Sequence, residues 1–433
     1  MINLYYDNII EDVPAPNGAK ELALTTDARR IPYVKNHTIF TPISVMNTFY
    51  FVVRANKVQV SLFTEKQKAN NLFYPIELAD QSFNWDRSWV DLISKRARRM
   101  IKKRQMNLLI LAPKVTGNHY IITRLNSRIQ EIVDTGISPE SITIIIGEIR
   151  GVYKNEFVTK NVFGIDYQQI YTQLLYKTKW KQSDLHWIFG YDTRGKPIKN
   201  VTKDKFNPLK WNPKNIFNVI SSGKDHDIAL LLELLYKQVD HYGNFDLDLD
   251  DYEIKELNNN YIDPRKSSIE KISKQDFLKN IKRYDNKNRK IIDKNSYTNT
   301  LVNIVCDDNF LNVDTYFKQE LAALAPGYNV WSQIAQGHPF MVIGSVDTMS
   351  YLNNENYYSY NSLLPQDYDK ITTPTKRIEL IVENIKKLAF SNEDKMNELI
   401  EESKPFMLAN QKRFLEKKMA IKFYNLFIDM RYE

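Results

Sequence analysis

Asn107-Leu108-Leu109-Ile110-Leu111-Ala112 and Ser141-Ile142-Thr143-Ile144-Ile145-Ile146-Gly147 decide the fold class. Each is a short run of apolar residues with no polar alternation, as in a strand buried on both faces. Between them, Ile122, Leu125, Ile129, Ile132 and Val133 recur at helical spacing over Tyr120 to Asp134, and Gly136 ends the pattern as a C-cap. Strand, helix, strand in that order predicts a βαβ unit and a parallel sheet. A helix over Asp166 to Tyr176 extends the series.

The pattern recurs downstream. Asn215 to Ile220 is a strand, Ser221-Ser222-Gly223-Lys224 a turn, Asp227 to Gln238 a helix, and Asn244 to Tyr252 a half-exposed strand whose aspartates form its wet face. Thr300 to Cys306, Val313 to Leu324, Val330 to Gln336 and Phe340 to Ile343 alternate strand, helix, helix and strand. Helices over Arg377 to Leu388, Glu393 to Ile400 and Ala409 to Met430 follow. Prolines at 197, 208 and 213 separate the two blocks, while the polar residues 253–296 read as an insertion. The expected architecture is α/β: two Rossmann-like domains facing a cleft, residues 1–205 and 206–405, with a terminal helical segment over 406–433. In such sheets ligands bind outside the carboxyl ends of the strands.

Nearer the N-terminus, Asn47 to Arg54 and Lys57 to Phe63 flank Ala55-Asn56 and predict a hairpin. From Asp86 to Gln105, Trp89, Leu92, Ile93, Ala97, Met100 and Ile101 define one face of a helix. Lys95, Arg96, Arg98, Arg99, Lys102, Lys103 and Arg104 crowd the other, which suits either a phosphate backbone or solvent.

Composition narrows the classes. The chain has 433 residues, 43% hydrophobic and 26% charged, which are globular values, and a net charge of +8 that admits an anionic partner. No apolar run reaches the ~20 residues a membrane span needs. The N-terminus lacks a signal-peptide pattern, so a cytoplasmic location is expected, without a membrane partner. The single cysteine, Cys306, excludes an intramolecular disulfide and a thiolate-rich zinc site, and no metal-binding constellation is visible. His119, at the start of a helix just beyond Asn107 to Ala112, stands where a general base would stand, with Glu148 and Asp166 as weaker candidates. The Ser221 to Lys224 turn offers amides and a lysine to a phosphate but lacks the P-loop pattern.

The block Val330-Trp331-Ser332-Gln333-Ile334-Ala335-Gln336-Gly337-His338-Pro339-Phe340-Met341-Val342-Ile343-Gly344 resembles a family of phage and viral glycosyltransferase-like proteins. That family carries a Glu-Lys-Thr-Phe-Lys-Pro-Ile segment, a Gly-His/Lys-Pro-Phe turn and a strand ending in Gly. Tyr368-Asp369, Arg377 and Asn410 are further similar positions. The resemblance implies a GT-B-like fold and transfer of a sugar from a nucleotide-sugar donor, a UDP-sugar or similar, to a hydroxyl acceptor. Carried over by position, Lys224, His226, Asp307, Tyr328, Gly337 and His338 would contact the donor, with His119 as catalytic base. The family's viral setting, together with the cationic helix bearing Lys95, Arg96, Arg98, Arg99, Lys102 and Lys103, implies double-stranded DNA as acceptor, through a hydroxymethylated pyrimidine, and a host cytoplasm. Four positions depart from the family: Tyr328 replaces a glutamate, Asn329 a lysine, and Ser222 and Asp227 arginines. Those losses suit a non-catalytic descendant with a decayed donor site.

Overall fold

The computed structural model describes residues 2–5, 60–63, 72–77, 88–93, 95–112, 119–149, 154–166, 168–170, 172–173, 206–221, 231, 234–235, 238–239, 242–247, 299–307, 324 and 326–416. The chain divides into two compact units, residues 1–170, 178–198 and 418–433 in one and residues 171–177 and 199–417 in the other. Both are mixed α/β with parallel sheets.

In the first unit, β1 (Ile2–Tyr5), β2 (Val60–Phe63), β3 (Leu72–Glu77), β4 (Asn107–Ala112), β5 (Ile142–Ile146) and β6 (Val162–Gly164) form a sheet of order β2-β1-β3-β4-β5-β6. Every pairing in it is parallel. Leu108 and Ile110 face the main core, while Leu109 and Leu111 are buried on the other side, which is why neither β4 nor β5 shows polar alternation. Of the hairpin expected around Ala55-Asn56 only Val60–Phe63 is described, and its described partner is Ile2–Tyr5, in parallel. Residues 47–59 lie outside the described residues.

The helix expected over 86–105 is two pieces, a 3₁₀ turn Trp89–Leu92 and α1 (Lys95–Lys102). Ile93 between them is extended, at φ −105° and ψ 118°. The break lets Trp89, Ile93, Ala97 and Ile101 all reach the core, each no more than 1% exposed. Helix α2 (His119–Asp134) lays Ile122, Leu125, Ile129 and Ile132 into the same core. Burying one such side chain contributes about 1.5–3 kcal/mol.

In the second unit β7 (Asn215–Ser221), β8 (Gly243–Leu247), β9 (Thr300–Cys306) and β10 (Phe340–Ile343) form an all-parallel sheet of order β10-β9-β7-β8. Strand β7 runs one residue further than expected, taking in Ser221. Helices α3 (Tyr328–Gln336), α4 (Thr348–Asn354), α5 (Pro374–Ala389) and α6 (Glu393–Glu416) complete the described part. β10 is the outermost described strand on its side. Its Val342 N–H donates 3.0 Å to the hydroxyl of Tyr368, a side chain with no exposed surface.

The sequence suggests separate helices on either side of Pro405, with a segment boundary at 405, but α6 runs through the proline. Pro405 cannot donate to the Glu401 carbonyl, but Glu401 is exposed, where an unmade backbone bond costs least. Met407, Asn410 and Phe414 beyond the proline are buried and hold the helix in register. Asn410 accepts from Tyr358 N (2.8 Å) and donates to Tyr358 O (3.0 Å) and to the Tyr360 hydroxyl (3.1 Å).

Candidate functional site

The strand order of the second unit locates its ligand edge. From β7 the chain passes to β8 on one side, and from β9 it passes to β10 on the other, so the connections diverge at the carboxyl ends of β7 and β9, where sheets of this kind bind ligands. Asp307, the first residue after β9, stands at that point and is 5% exposed. Its backbone N–H donates to Ile343 O (2.8 Å), and its Oδ2 accepts from Gly327 N–H (2.7 Å) at the N-cap of α3. A negative group at a helix N-terminus is electrostatically favoured.

Two glycines fit around this carboxylate. A Cβ on Gly327 would sit 3.1 Å from Asp307 Cγ and overlap Oδ1, and one on Gly344 would sit 3.2 Å from Asp307 Cβ. Gly327, Tyr328 and Asn329 on one side, and Val346 and Asp347 on the other, are half-exposed above the buried Asp307 and Ser345. Ser345 is 6% exposed, and its hydroxyl has no hydrogen-bond partner among the described residues.

The loop after β10 is rigidly held. Asp347 adopts a left-handed conformation, φ 63°, which aspartate tolerates better than most residues. Although Asp347 is the N-cap of α4, it makes no side-chain cap bond. Asp369 caps that helix from across the loop: it accepts from Met349 N and Ser350 N, both at 3.0 Å, and from Ser350 Oγ at 3.1 Å. Burial raises the Asp369 carboxyl above its ordinary pKa, against those hydrogen bonds and the Arg377 charge. Arg377 is also buried, which lowers its pKa; the guanidinium donates to Gly344 O and Ile371 O. Arg377 thus fixes where β10 ends.

Gly337 and His338 lie at the opposite end of the same sheet. The two ring nitrogens of His338 face Pro339 O (2.8 Å) and Thr300 O (3.0 Å), at the amino-terminal ends of β10 and β9. Phe206 and Trp211 pack edge-on against the ring at 5.6 and 6.0 Å, and Trp211 Nε1 shares the Thr300 carbonyl at 2.9 Å. Gly337 caps α3 at φ 70°, where a Cβ would overlap the Met407 carbonyl, and its own carbonyl accepts from the Tyr360 hydroxyl at 2.7 Å. The Gly337-His338-Pro339-Phe340 turn ties α3, α6 and the amino ends of two strands together. Of the expected donor contacts, the structure brings together Asp307 and the α3 N-terminus that begins at Tyr328, and separates them from Gly337 and His338. Lys224 and His226 lie outside the described residues, beyond the end of β7.

In the first unit His119 opens α2 after β4, as expected from its position, and its side chain lies outside the described residues. Glu148 follows β5 and is fully buried. Asp166 follows β6 and caps the next helical turn, accepting from Gln169 N at 2.9 Å. Lys95, Arg96, Arg99, Lys102 and Lys103 are exposed and Arg98 half-exposed. Ser345, Asp347 and Gly327 were not legible as site residues; the one local signal is Pro326-Gly327 ahead of a helical pattern.

Among the described residues no group of three or more His, Cys, Asp or Glu side chains is placed to hold a metal ion, and no helix is long and apolar enough to cross a membrane. No family model matches the chain, and no curated protein matches it.

Proposed function

We propose that the two units are the Rossmann-like halves of a GT-B-type glycosyltransferase, and that the second holds a nucleotide sugar at the carboxyl edge of its sheet. The observation that carries the binding half is a buried carboxylate at the topological switch point, Asp307, bonded to the N-terminus of α3 and flanked by Gly327 and Gly344. Sugar transfer rests on the resemblance of the Val330 to Gly344 block. In this reading first-turn amides of α3 and Lys224 receive the diphosphate. His119 takes the proton of the acceptor hydroxyl, whose oxygen bonds to the anomeric carbon as the bond to the nucleoside diphosphate breaks.

One observation favours a second reading, a non-catalytic protein that keeps the fold. Arg377, the buried cation at this edge, is bonded to backbone carbonyls, and the described rim carries Asp307 and Asp347. The two readings separate in a thermal-shift panel of nucleoside diphosphates and nucleotide sugars, because a ligand that prefers the folded state raises the melting midpoint. A shift that Lys224→Ala removes supports the donor site. A flat panel supports the non-catalytic reading.

A further inference from the structure

We infer that α1 is a docking surface for the phosphate backbone of duplex nucleic acid. The inference stands apart from the sugar-transfer reading and rests on the first unit alone. Lys95, Arg99 and Lys102 occupy positions i, i+4 and i+7, one stripe of the helix, with Arg98 and Lys103 to either side. Among the described residues the side chains of these five make no hydrogen bond or ion pair, whereas Arg104 is paired with Glu140 at 2.9 Å. The nearby Glu131 is paired with Arg128, and Asp134 accepts from Gln130. The stripe rises about 10 Å from Lys95 to Lys102, the axial span of about three phosphates along one strand.

The opposite face of α1 decides what kind of anion fits. A helix that lies on a membrane needs an exposed apolar side to insert. Ala97 and Ile101 have no exposed surface and belong to the core, and Met100, the remaining apolar position of α1, is half-buried against the same core. Single-strand binders need exposed aromatic rings on which bases stack. The exposed large apolar residues among those described, Leu209, Tyr242, Tyr358, Phe390, Phe406 and Leu408, all belong to the second unit. Among the described residues of the first unit the cationic stripe has no stacking platform beside it, which suits a regular row of phosphates. Arg98 and Arg99 add guanidinium forks, which bind phosphate oxygens in pairs.

The test is fluorescence anisotropy of the full chain with a mixed-sequence DNA duplex about two helical turns long, the matching single strand, and vesicles containing phosphatidylserine. If all five cations engage, the slope of log affinity against log salt for the duplex is about −4.5 between about 50 and 200 mM, and removing three cations reduces it to about −1.8. The variant is Lys95→Gln, Arg99→Gln, Lys102→Gln, whose sites are exposed, with circular dichroism to confirm folding. The swap Lys95→Arg, Arg99→Lys, Lys102→Arg keeps the charge and is expected to keep the slope. The inference is overturned by a wild-type duplex slope near zero, by a triple Gln variant with the wild-type slope, or by tighter binding to the single strand or the vesicles than to the duplex.

Discussion

Gly327→Ala tests the architecture of the carboxyl edge most directly. The backbone at 327, φ −75° and ψ 176°, accepts any residue, so the cost is steric and falls on Asp307. The new Cβ would stand 3.1 Å from Asp307 Cγ and overlap Oδ1. Asp307 has little room to turn away, being 5% exposed, tied to Ile343 O by its N–H and to Gly327 N–H by Oδ2. Relieving the overlap breaks the Gly327 bond, a hydrogen bond to a charged group worth about 1.5–3 kcal/mol. Repacking around the extra methyl costs about 1–3 kcal/mol more. The sum is about 2.5–6 kcal/mol, and its lower end corresponds to about a 60-fold change in an opening equilibrium. Hydrogen exchange of the peptide covering α3 reads that opening locally, without requiring the two units to unfold together. In an Asp307→Ala background the overlap is gone, so Gly327→Ala is expected to cost under about 1 kcal/mol there, and the difference is the coupling energy. Exchange in Gly327→Ala within about threefold of wild type, well short of the tenfold that 1.4 kcal/mol gives, refutes the cradle, as does an equal cost in both backgrounds.

Tyr368→Phe removes the acceptor of Val342 N–H and leaves a buried donor unmatched, so urea unfolding of the second unit is expected to show a loss of about 1–3 kcal/mol. For Asp369 the folded pKa lies above the unfolded one, chiefly through burial. Its contribution to stability is therefore full below the unfolded value, about 3.9, and is lost as pH rises through the folded value. Asp369→Asn removes this decline, and unfolding free energies measured upward from about pH 4 are expected to fall less steeply than in wild type; an unchanged slope contradicts the assignment. His338→Ala is expected to destabilise the second unit by about 1–3 kcal/mol while leaving nucleoside diphosphate affinity unchanged. A tenfold loss of affinity at unchanged stability moves His338 into the site.

The strands of both sheets were legible where they are buried on two faces, because an uninterrupted run such as Thr300 to Cys306 has few other uses in a globular chain. Strand partners were not legible. The Ala55-Asn56 turn is a local signal, whereas the parallel pairing of Val60–Phe63 with Ile2–Tyr5 depends on distant segments that carry no mark of each other. The switch point between β7 and β9, and hence the setting of Asp307, is likewise a property of strand order. Periodicity carried α1 across Ile93 because the apolar spacing is the same on both sides of the break. The split into helices over Glu393 to Ile400 and Ala409 to Met430 erred in the other direction: the hydrogen bond lost at Pro405 falls on the wet side of α6, and tertiary anchors outweigh the propensity penalty. The Gly337-His338 turn shows why a motif alone does not locate a site, since residues that lock a scaffold leave as sharp a pattern as residues that touch a ligand.

The seal on β10 has a consequence for self-association. An outermost strand ordinarily offers a row of unpaired donors and acceptors to which another chain adds as a new strand. At Val342 that row is interrupted by the Tyr368 hydroxyl, and just past the strand Arg377 occupies the Gly344 carbonyl. Both groups are buried, so an incoming strand must first dislodge a folded loop and the start of α5. Loss of the hydroxyl in Tyr368→Phe frees the Val342 donor while the loop and Arg377 still cover the strand, so the variant is expected to aggregate with strand-like spectroscopic character only when partly unfolded, and more readily than the parent at the same urea concentration.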